Sequence, residues 1–271
     1  MNKVILILSD ALRYDVAKEN MGFLGHLVET DQASLYKIVG ELPSMSRPMY
    51  ETIHTGLVSS EHGIVANWIV RPSSKPNIFQ SVSKAGKVTA AAAYSWFYEL
   101  YNRVPFDRVD DKETDDVSLP IQHGRFYTED EYPDIELFTT AAHLVRKFSP
   151  DYLLVHPMGM DYLGETYGSD SKEYRNNAIR QDVCLAPLIQ EWKGLGYTIF
   201  VTGDHGISKD GAHGGTTPEQ REVPFFVIQP KVGGRGDTGE TISHLQIAPT
   251  ILKLLDVPIP ETMKQKPLPL D

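Results

Sequence analysis

The chain has 271 residues, of which 41% are hydrophobic and 23% are charged, and this composition excludes disordered and low-complexity architectures. Its 36 acidic and 26 basic residues give a net charge of −10, which argues against binding to a nucleic acid polymer or to an anionic membrane. The single cysteine, Cys184, cannot form an intramolecular disulfide, and the apolar run at residues 4–8 is too short for a signal peptide core or a membrane span. We therefore expect a cytoplasmic protein with a large packed core.

Short apolar runs rich in β-branched residues alternate with helical patterns along the chain. The expected strands are residues 3–8, 88–93, 152–156, 197–202 and 223–229. The expected helices are residues 134–148, a long helix that starts after capping residues at 169–171 and stops before Gly194, and residues 245–255, where Pro249 should kink the helix or open its first turn. This order predicts an α/β fold, with a mostly parallel central sheet sandwiched between helices in a single domain over residues 1–271.

Residues 104–133 differ from the rest of the chain, because acidic side chains crowd a stretch that has few aliphatic residues. Such a stretch is typical of a solvated surface insertion, and the alternative is a lid over a substrate. An aromatic cluster precedes it at Trp96, Phe97, Tyr98 and Tyr101. These rings either pack in the core or stack on a base or sugar.

Ligand-type residues follow two of the expected strands. Asp10 comes shortly after strand 3–8, and Asp204 and His205 follow strand 197–202 in the run VTGDHG. Asp10 alone could cap a helix, and Asp204 with His205 could form a plain hydrogen-bonded pair. Because open α/β folds bind ligands at the carboxyl ends of their parallel strands, two such groups at one edge favour a binding site.

Three more ligand-type residues follow strand 152–156 or precede strand 223–229. Asp161 and Glu165 are four residues apart in GMDYLGE, so one helical turn can direct both carboxylates the same way, and His213 lies in the glycine-rich run AHGG. If these two carboxylates converge with those of Asp10 and Asp204, they repel one another unless about four positive charges lie among them. Two divalent cations supply that charge, so the sequence predicts a dinuclear metal site.

The segment LPSMSRPMYETIHTG, residues 42–56, contains a candidate nucleophile. Ser46 precedes Arg47 at the start of an expected helix, where a hydroxyl is commonly just a cap. A hydroxyl that faces a metal ion has a lowered pKa and becomes a nucleophile, while the helix-end amides and Arg47 can meet an anionic substrate. Ser44 competes for the same role.

Seven sequence runs carry these residues and their surroundings, from one end of the chain to the other: VILILSDALRYD, PSMSRPMYETIHTG, EHGIVAN, MDYLGETYG, VTGDHG, AHGGTTPEQREVP and HLQIAPTILKLLDVPIP. In this pattern the chain resembles the alkaline phosphatase superfamily, specifically its type I phosphodiesterase and nucleotide pyrophosphatase branch. The resemblance implies one metal ion held by Asp10, Asp204, His205 and the Ser46 hydroxyl, and a second held by Asp161, Glu165 and His213. It also implies that Ser46 attacks phosphorus and forms a phosphoseryl intermediate.

Two departures from the family pattern bear on the chemistry. Glu165 stands where most members have His, and this harder ligand shifts the preference of the second site from zinc towards manganese. Met49 stands three residues after the nucleophile, where diesterases usually carry Asn, so Arg47 or a lid residue would hold the phosphoryl oxygen instead. His244 is expected to pack or cap, with metal ligation as the alternative, and His62 to stabilise a turn.

The expected function is that of a two-metal phosphoesterase, with Zn²⁺ or Mn²⁺ as the cofactor. It would hydrolyse a phosphodiester or pyrophosphate bond in a small phosphorylated substrate, for instance a nucleotide. A phosphomonoesterase or phosphomutase of the same superfamily is the nearest alternative. A metal-binding or ligand-sensing domain that has lost hydrolysis is the alternative from a different class, since Glu165 and Met49 replace expected groups.

Overall fold

A computed structural model describes residues 2–270 of the chain. The strands are β1 Lys3–Leu8, β2 Ser34–Val39, β3 Thr89–Tyr94, β4 Glu113–Asp115, β5 His123–Tyr127, β6 Tyr152–Val155, β7 Tyr197–Thr202, β8 Glu222–Ile228 and β9 Gly236–Ile242. The helices are α1 Tyr14–Asn20, α2 Gly22–Glu29, α3 Ser46–Thr55, α4 Ser59–His62, α5 Ile78–Lys84, α6 Ser95–Tyr101, α7 Asp134–Phe148, α8 Gly159–Tyr167, α9 Lys172–Gly194, α10 Pro218–Arg221 and α11 Ile247–Leu254.

The strands form one sheet in the order β4-β5-β3-β6-β1-β7-β8-β2-β9. β1 lies near the middle and pairs in parallel with both β6 and β7, so that Leu6 is opposite Leu154 on one side and Phe200 on the other. The pairs β3–β5, β3–β6 and β2–β9 are also parallel, whereas β4–β5, β7–β8 and β2–β8 are antiparallel. The predicted α/β fold with a mostly parallel sheet is confirmed.

Helices cover both faces of the sheet. Ile5 and Ile7 of β1 enter a core layer with α1, α2, α7 and α9, and the alternate residues Val4, Leu6 and Leu8 enter a second layer with α3, α5, α6 and α11. Because successive strand side chains point to opposite faces, a strand buried on both faces has a continuous apolar sequence. No helix within residues 2–270 combines the length and the apolar character that crossing a bilayer requires.

The expected helices are present. α7 has the predicted bounds, and α9 begins at Lys172 because the Ser171 hydroxyl accepts a hydrogen bond from the Tyr174 backbone N–H at 3.2 Å. A short 3₁₀ turn, His244–Gln246, precedes α11, and Pro249 lies in the first turn of that helix. A proline costs no helical hydrogen bond there, since the first backbone N–H groups of a helix have no intrahelical acceptor.

Four strands were not expected from the sequence. These are β2, β4, β5 and β9, and two of them lie inside the acidic segment 104–133. β5 pairs with β3, and its residues Phe126 and Tyr127 are buried, so part of this segment belongs to the sheet. That the rest of the segment forms a lid stays a prediction.

Candidate metal centre and nucleophile

The candidate residues converge because three neighbouring strands end at the same edge of the sheet. β6, β1 and β7 are adjacent and parallel, so the loops that follow them lie side by side. The loop after β1 carries Asp10, the loop and helix after β6 carry Asp161, and the loop after β7 carries Asp204 and His205. The topology therefore brings together residues separated by almost 200 positions in the sequence.

The first group consists of Asp10, Asp204 and His205, which are fully buried. The Nε2 atom of His205 lies 3.3 Å from Oδ1 of Asp10 and 3.4 Å from Oδ2 of Asp204. Ala11 adopts a positive φ of 58°, which is strained for a residue with a side chain, and its N–H donates to Oδ1 of Asp204 at 3.1 Å. The strained backbone conformation at Ala11 thus directs its N–H at the Asp204 carboxylate and helps to hold that group in place.

Three buried carboxylate oxygens in this region are not satisfied. Among the described residues, no hydrogen-bond donor reaches Oδ1 of Asp10, Oδ1 of Asp161 or Oδ2 of Asp204. A buried carboxylate oxygen without a partner is strongly unfavourable, and a cation is the partner that removes the penalty for all three. The donor set therefore fits the predicted metal ions.

His205 has the form that a metal ligand needs. Its Nδ1 donates to the carbonyl oxygen of Gly206 at 2.9 Å, which leaves the lone pair of Nε2 directed at the carboxylates. Burial lowers the pKa of His205 to about 4, so the ring is neutral near pH 7. Gly206 is required here, because a Cβ at this position would lie 2.1 Å from the carbonyl oxygen of Glu219.

The second group consists of Asp161, His205 and His213, so His205 lies within ligand distance of both groups. The rings of His205 and His213 stack at 4.5 Å between centroids. His213 Nε2 donates to Oε1 of Glu165 at 3.0 Å and lies 4.0 Å from Oδ1 of Asp161. Glu165 is half-exposed and lies outside the compact group, beside His213, so its role as a ligand stays a prediction.

The carboxylates of the centre perturb one another. Burial, followed by the negative charges of Asp10, Glu165 and Asp204, raises the pKa of Asp161 well above its usual value. Burial and the charge of Asp10 do the same to the pKa of Asp204. Burial also acts on Asp10, but hydrogen bonding and the nearby histidines lower its pKa overall. Converging carboxylates therefore repel one another here, and bound cations would relieve this repulsion.

The two serines of the nucleophile segment have different partners. Met45 occupies the N-cap position of α3, and the Ser46 hydroxyl, instead of capping the helix, donates to Nε2 of His205 at 3.1 Å. Ser44 donates to the carbonyl oxygen of Gly215 at 2.8 Å, which leaves it a structural role. The geometry therefore favours Ser46 over Ser44 as the nucleophile.

Asn67 is a candidate site residue that was not predicted from the sequence. Its Oδ1 accepts a hydrogen bond from the Arg47 backbone N–H at 3.0 Å, which places an amide group at the start of α3, beside Ser46. The family resemblance implied an amide three residues after Ser46, where this chain has the buried Met49. Asn67 is the last residue of EHGIVAN, one of the motifs that carry the family resemblance, so the sequence did offer an amide near the nucleophile.

Two further residues hold Asp10 and were also missed. Oδ2 of Asp10 accepts hydrogen bonds from the Tyr50 hydroxyl and from Nε2 of His156, the latter at 3.1 Å. The Tyr127 hydroxyl in turn donates to the carbonyl oxygen of His156 at 2.5 Å. Because Oδ2 is occupied in this way, Oδ1 of Asp10 is the atom left for a cation.

His244, His62 and the buried rings of the aromatic cluster make structural contacts. His244 donates from Nε2 to the carbonyl oxygen of Gly203 at 3.0 Å and is not part of either metal group. His62 accepts from the Ile64 N–H at 3.1 Å and holds the turn after α4. Phe97, Tyr98 and Tyr101 are buried, whereas Trp96 is half-buried against Arg47.

Comparison with known proteins gives a family for this chain. The family model for type I phosphodiesterase / nucleotide pyrophosphatase matches residues 4–210. The human GPI ethanolamine phosphate transferase 3, catalytic subunit, is 20% identical over 294 residues, and GPI ethanolamine phosphate transferase 2 of Aspergillus fumigatus is 24% identical over 293 residues. Each alignment includes 96% of this chain but only 25% and 36% of the relatives' own lengths.

Solved structures show the same fold. The murine ectonucleotide pyrophosphatase / phosphodiesterase 5 superposes with a TM-score of 0.70 at 14% identity, covering 95% of this chain and 96% of its own. An inactive variant of that enzyme in complex with AMP gives the same score at 15% identity. The phosphonate monoester hydrolase of Silicibacter pomeroyi gives 0.64 at 15% identity, covering 99% of this chain and 76% of its own.

The fold and the family match place this protein in the alkaline phosphatase superfamily. The family model spans most of the chain, so the family can also be stated. The chain belongs to the type I phosphodiesterase / nucleotide pyrophosphatase family.

Proposed function

We propose that this protein is a two-metal phosphoesterase that cleaves a phosphodiester or pyrophosphate bond of a small substrate through a phosphoseryl intermediate on Ser46. One observation carries the proposal: around the Ser46 hydroxyl, three buried aspartates each keep one oxygen that no donor in residues 2–270 reaches. Asp10, Asp204 and His205 would hold one ion together with Ser46. Asp161 and His213 would hold the other, with Glu165 as the third ligand.

The roles of the residues follow from their positions. Bound divalent cations supply Lewis acidity, which lowers the pKa of a hydroxyl and offsets charge on phosphoryl oxygens. Ser46 Oγ then forms the bond to phosphorus while the bond to the leaving oxygen breaks, and water later hydrolyses the phosphoseryl ester and restores the hydroxyl. Asn67 would hold a phosphoryl oxygen through its side-chain NH2 group, and Arg47 would hold an anionic group.

Transfer to a second hydroxyl, instead of to water, is the other candidate function. It is favoured by the relatives named ethanolamine phosphate transferases, because a phosphoseryl ester can be attacked by an alcohol as well as by water. The AMP complex of the murine neighbour supports a nucleotide as one substrate group. A cytoplasmic location remains part of this proposal.

The test uses chelator-treated protein to which Mn²⁺ or Zn²⁺ is added back. Its rates are compared on bis-nitrophenyl phosphate, nitrophenyl phosphate and nitrophenyl sulfate. We expect metal-dependent turnover that is highest on the diester, and higher with Mn²⁺ if Glu165 is a ligand. Inactivity on all three esters with both metals would refute the proposal and favour a ligand-sensing domain. In a parallel reaction with an added alcohol, formation of the mixed nitrophenyl alkyl phosphate would identify transfer, because hydrolysis cannot yield that diester.

A further inference from the structure

The side chain of Arg47, next to the nucleophile, is buried and only partly satisfied. It is 1% exposed, and its Nη2 donates to Oε2 of Glu99 at 2.7 Å. Its guanidinium carbon lies 4.4 Å from the ring centroid of Trp96. In the part of the chain that the structure describes, Nε and Nη1 of Arg47 have no hydrogen-bond partner. Unpaired donors on a buried cation are unfavourable, and an anion is the partner that they suit.

The position of Arg47 on α3 directs it towards the candidate centre. Ser46, Arg47 and Tyr50 occupy one side of the helix, because residues separated by one and by four positions lie within about 100° of each other around its axis. Ser46 contacts His205 and Tyr50 contacts Asp10 from that side. Arg47 therefore starts from the part of α3 that contacts the candidate centre, directly beside Ser46.

The net charge of the centre determines whether a phosphodiester or a phosphomonoester binds better. Four carboxylates, those of Asp10, Asp161, Glu165 and Asp204, balance two divalent cations. Glu99, whose side chain is 14% exposed, balances Arg47 in the same way. A phosphomonoester carries close to two negative charges near neutral pH, whereas a phosphodiester carries one. A centre without excess positive charge discriminates against the doubly charged ester.

We infer that Glu99, through its ion pair with Arg47, makes the site select singly charged phosphodiesters over doubly charged phosphomonoesters. The inference rests on the proposed phosphoesterase function. Glu99 acts through Arg47, so it is a selectivity residue that does not itself touch the reacting atoms. Removing its charge leaves Arg47 as an uncompensated cation, free to bind the additional negative charge of a monoester or of inorganic phosphate.

The experiment compares the metal-loaded wild-type chain with Glu99→Gln and Arg47→Met. The readouts are kcat/KM for bis-nitrophenyl phosphate and for nitrophenyl phosphate at pH 8, and the inhibition constant of inorganic phosphate. For Glu99→Gln we expect the diester-to-monoester ratio and the phosphate inhibition constant each to fall about tenfold, the equivalent of one charge-assisted hydrogen bond. For Arg47→Met we expect the inhibition constant to rise. A purely structural ion pair would not give these opposite shifts.

A matched control is available on the far side of the molecule. Glu191 of α9 accepts two hydrogen bonds from Arg146 of α7, at 2.9 and 2.7 Å, so Glu191→Gln makes the same charge change in another Arg–Glu pair. Its ratio and inhibition constant should equal those of the wild type. Equal shifts in Glu99→Gln and Glu191→Gln would overturn the inference, as would an unchanged ratio in a Glu99→Gln protein that binds Mn²⁺ normally by calorimetry.

The experiment distinguishes a failure of the proposed phosphoesterase function from a failure of the role assigned to Glu99. If the wild-type chain cleaves no phosphoester with either metal, the proposed function is refuted. If it cleaves diesters and Glu99→Gln leaves its selectivity unchanged, only the role of Glu99 is refuted. Should Glu99→Gln not fold, Arg47→Met still tests the inference, because an inhibition constant for phosphate equal to that of the wild type would exclude Arg47 as the anion-binding group.

Discussion

Replacing Glu51 by glutamine should stabilise the protein at neutral and alkaline pH. Glu51 lies on α3, fully buried; its Oε1 accepts a hydrogen bond from the Ser73 hydroxyl, and no donor within residues 2–270 reaches its Oε2. Burial raises the pKa of Glu51 from 4.5 to about 7, although hydrogen bonding with Ser73 and Tyr101 and the charges of Arg71 and Lys75 oppose the shift. The buried carboxyl is therefore costly to ionise.

The sign and size of the effect follow from the linkage between proton binding and folding. Below about pH 4.5 the carboxyl is protonated in both states, and its full contribution to stability is present. Between pH 4.5 and 7 the unfolded carboxyl ionises while the folded one keeps its proton, so stability is lost. The difference in pKa corresponds to about 3 kcal/mol, which for a chain of this length is roughly 5 °C in melting temperature.

The assay measures melting curves of the wild type and Glu51→Gln at fixed metal concentration from pH 5 to pH 8. The difference in melting temperature, variant minus wild type, should grow with pH up to about 7 and then level off. Metal binding and the other titrating groups are common to both proteins and cancel in the difference. Glu191→Gln is the control: the hydrogen bond from Arg146 lowers the pKa of the half-buried Glu191, so this carboxylate stays ionised over the pH range and should show no such increase. A difference for Glu51→Gln that stays constant with pH would refute the reasoning.

Three more changes test the candidate centre and the core. Ser46→Ala should reduce turnover by at least about 10³-fold with metal binding retained, as measured by rates and calorimetry, and a wild-type rate would exclude the covalent route. His156→Leu should weaken metal binding by about 10- to 100-fold in a chelator competition, whereas His156→Gln, which keeps an N–H donor, should recover part of the loss; equal losses would show that the hydrogen bond to Asp10 is irrelevant. Phe97→Ala should lower the free energy of unfolding by about 3 to 5 kcal/mol in urea titrations, because this ring stacks on Tyr50 at 4.3 Å and is fully buried. A loss below about 1 kcal/mol would mean that the core collapses around the missing ring.

The parts of the fold that could be predicted are those with a simple burial pattern. β1, β6 and β7 are buried on both faces, so their sequences are continuous apolar runs, and α7 and α9 carry clear apolar stripes. β9 is an exposed edge strand with the polar sequence GDTGETI, and β5 is the short run HGRFY, so neither has a pattern that distinguishes it from a loop. Their place in the sheet depends on partners that are distant in the sequence.

The candidate site could be predicted only as far as residue type and strand ends allow. Asp10, Asp204 and His205 were found because polar ligand-type residues directly after buried strands are unusual. His156 was missed because it continues the apolar run of β6, and Tyr50 because an aromatic residue within a helix indicates packing. Both matter through the oxygen of Asp10 that they occupy, and that contact depends on the strand order, which no local pattern reveals.

The order of the strands also has a consequence for how the candidate metal centre is assembled. β1 and β7 are neighbours in the sheet but lie about 190 residues apart along the chain, so Asp204 and His205 can join Asp10 only after all of the segment between them has been synthesised. A chain that stops before β7 therefore lacks two of the three side chains of the first candidate ligand group. We expect such a truncated product to acquire no metal ion there, because non-local strand pairing must be completed before these ligands meet.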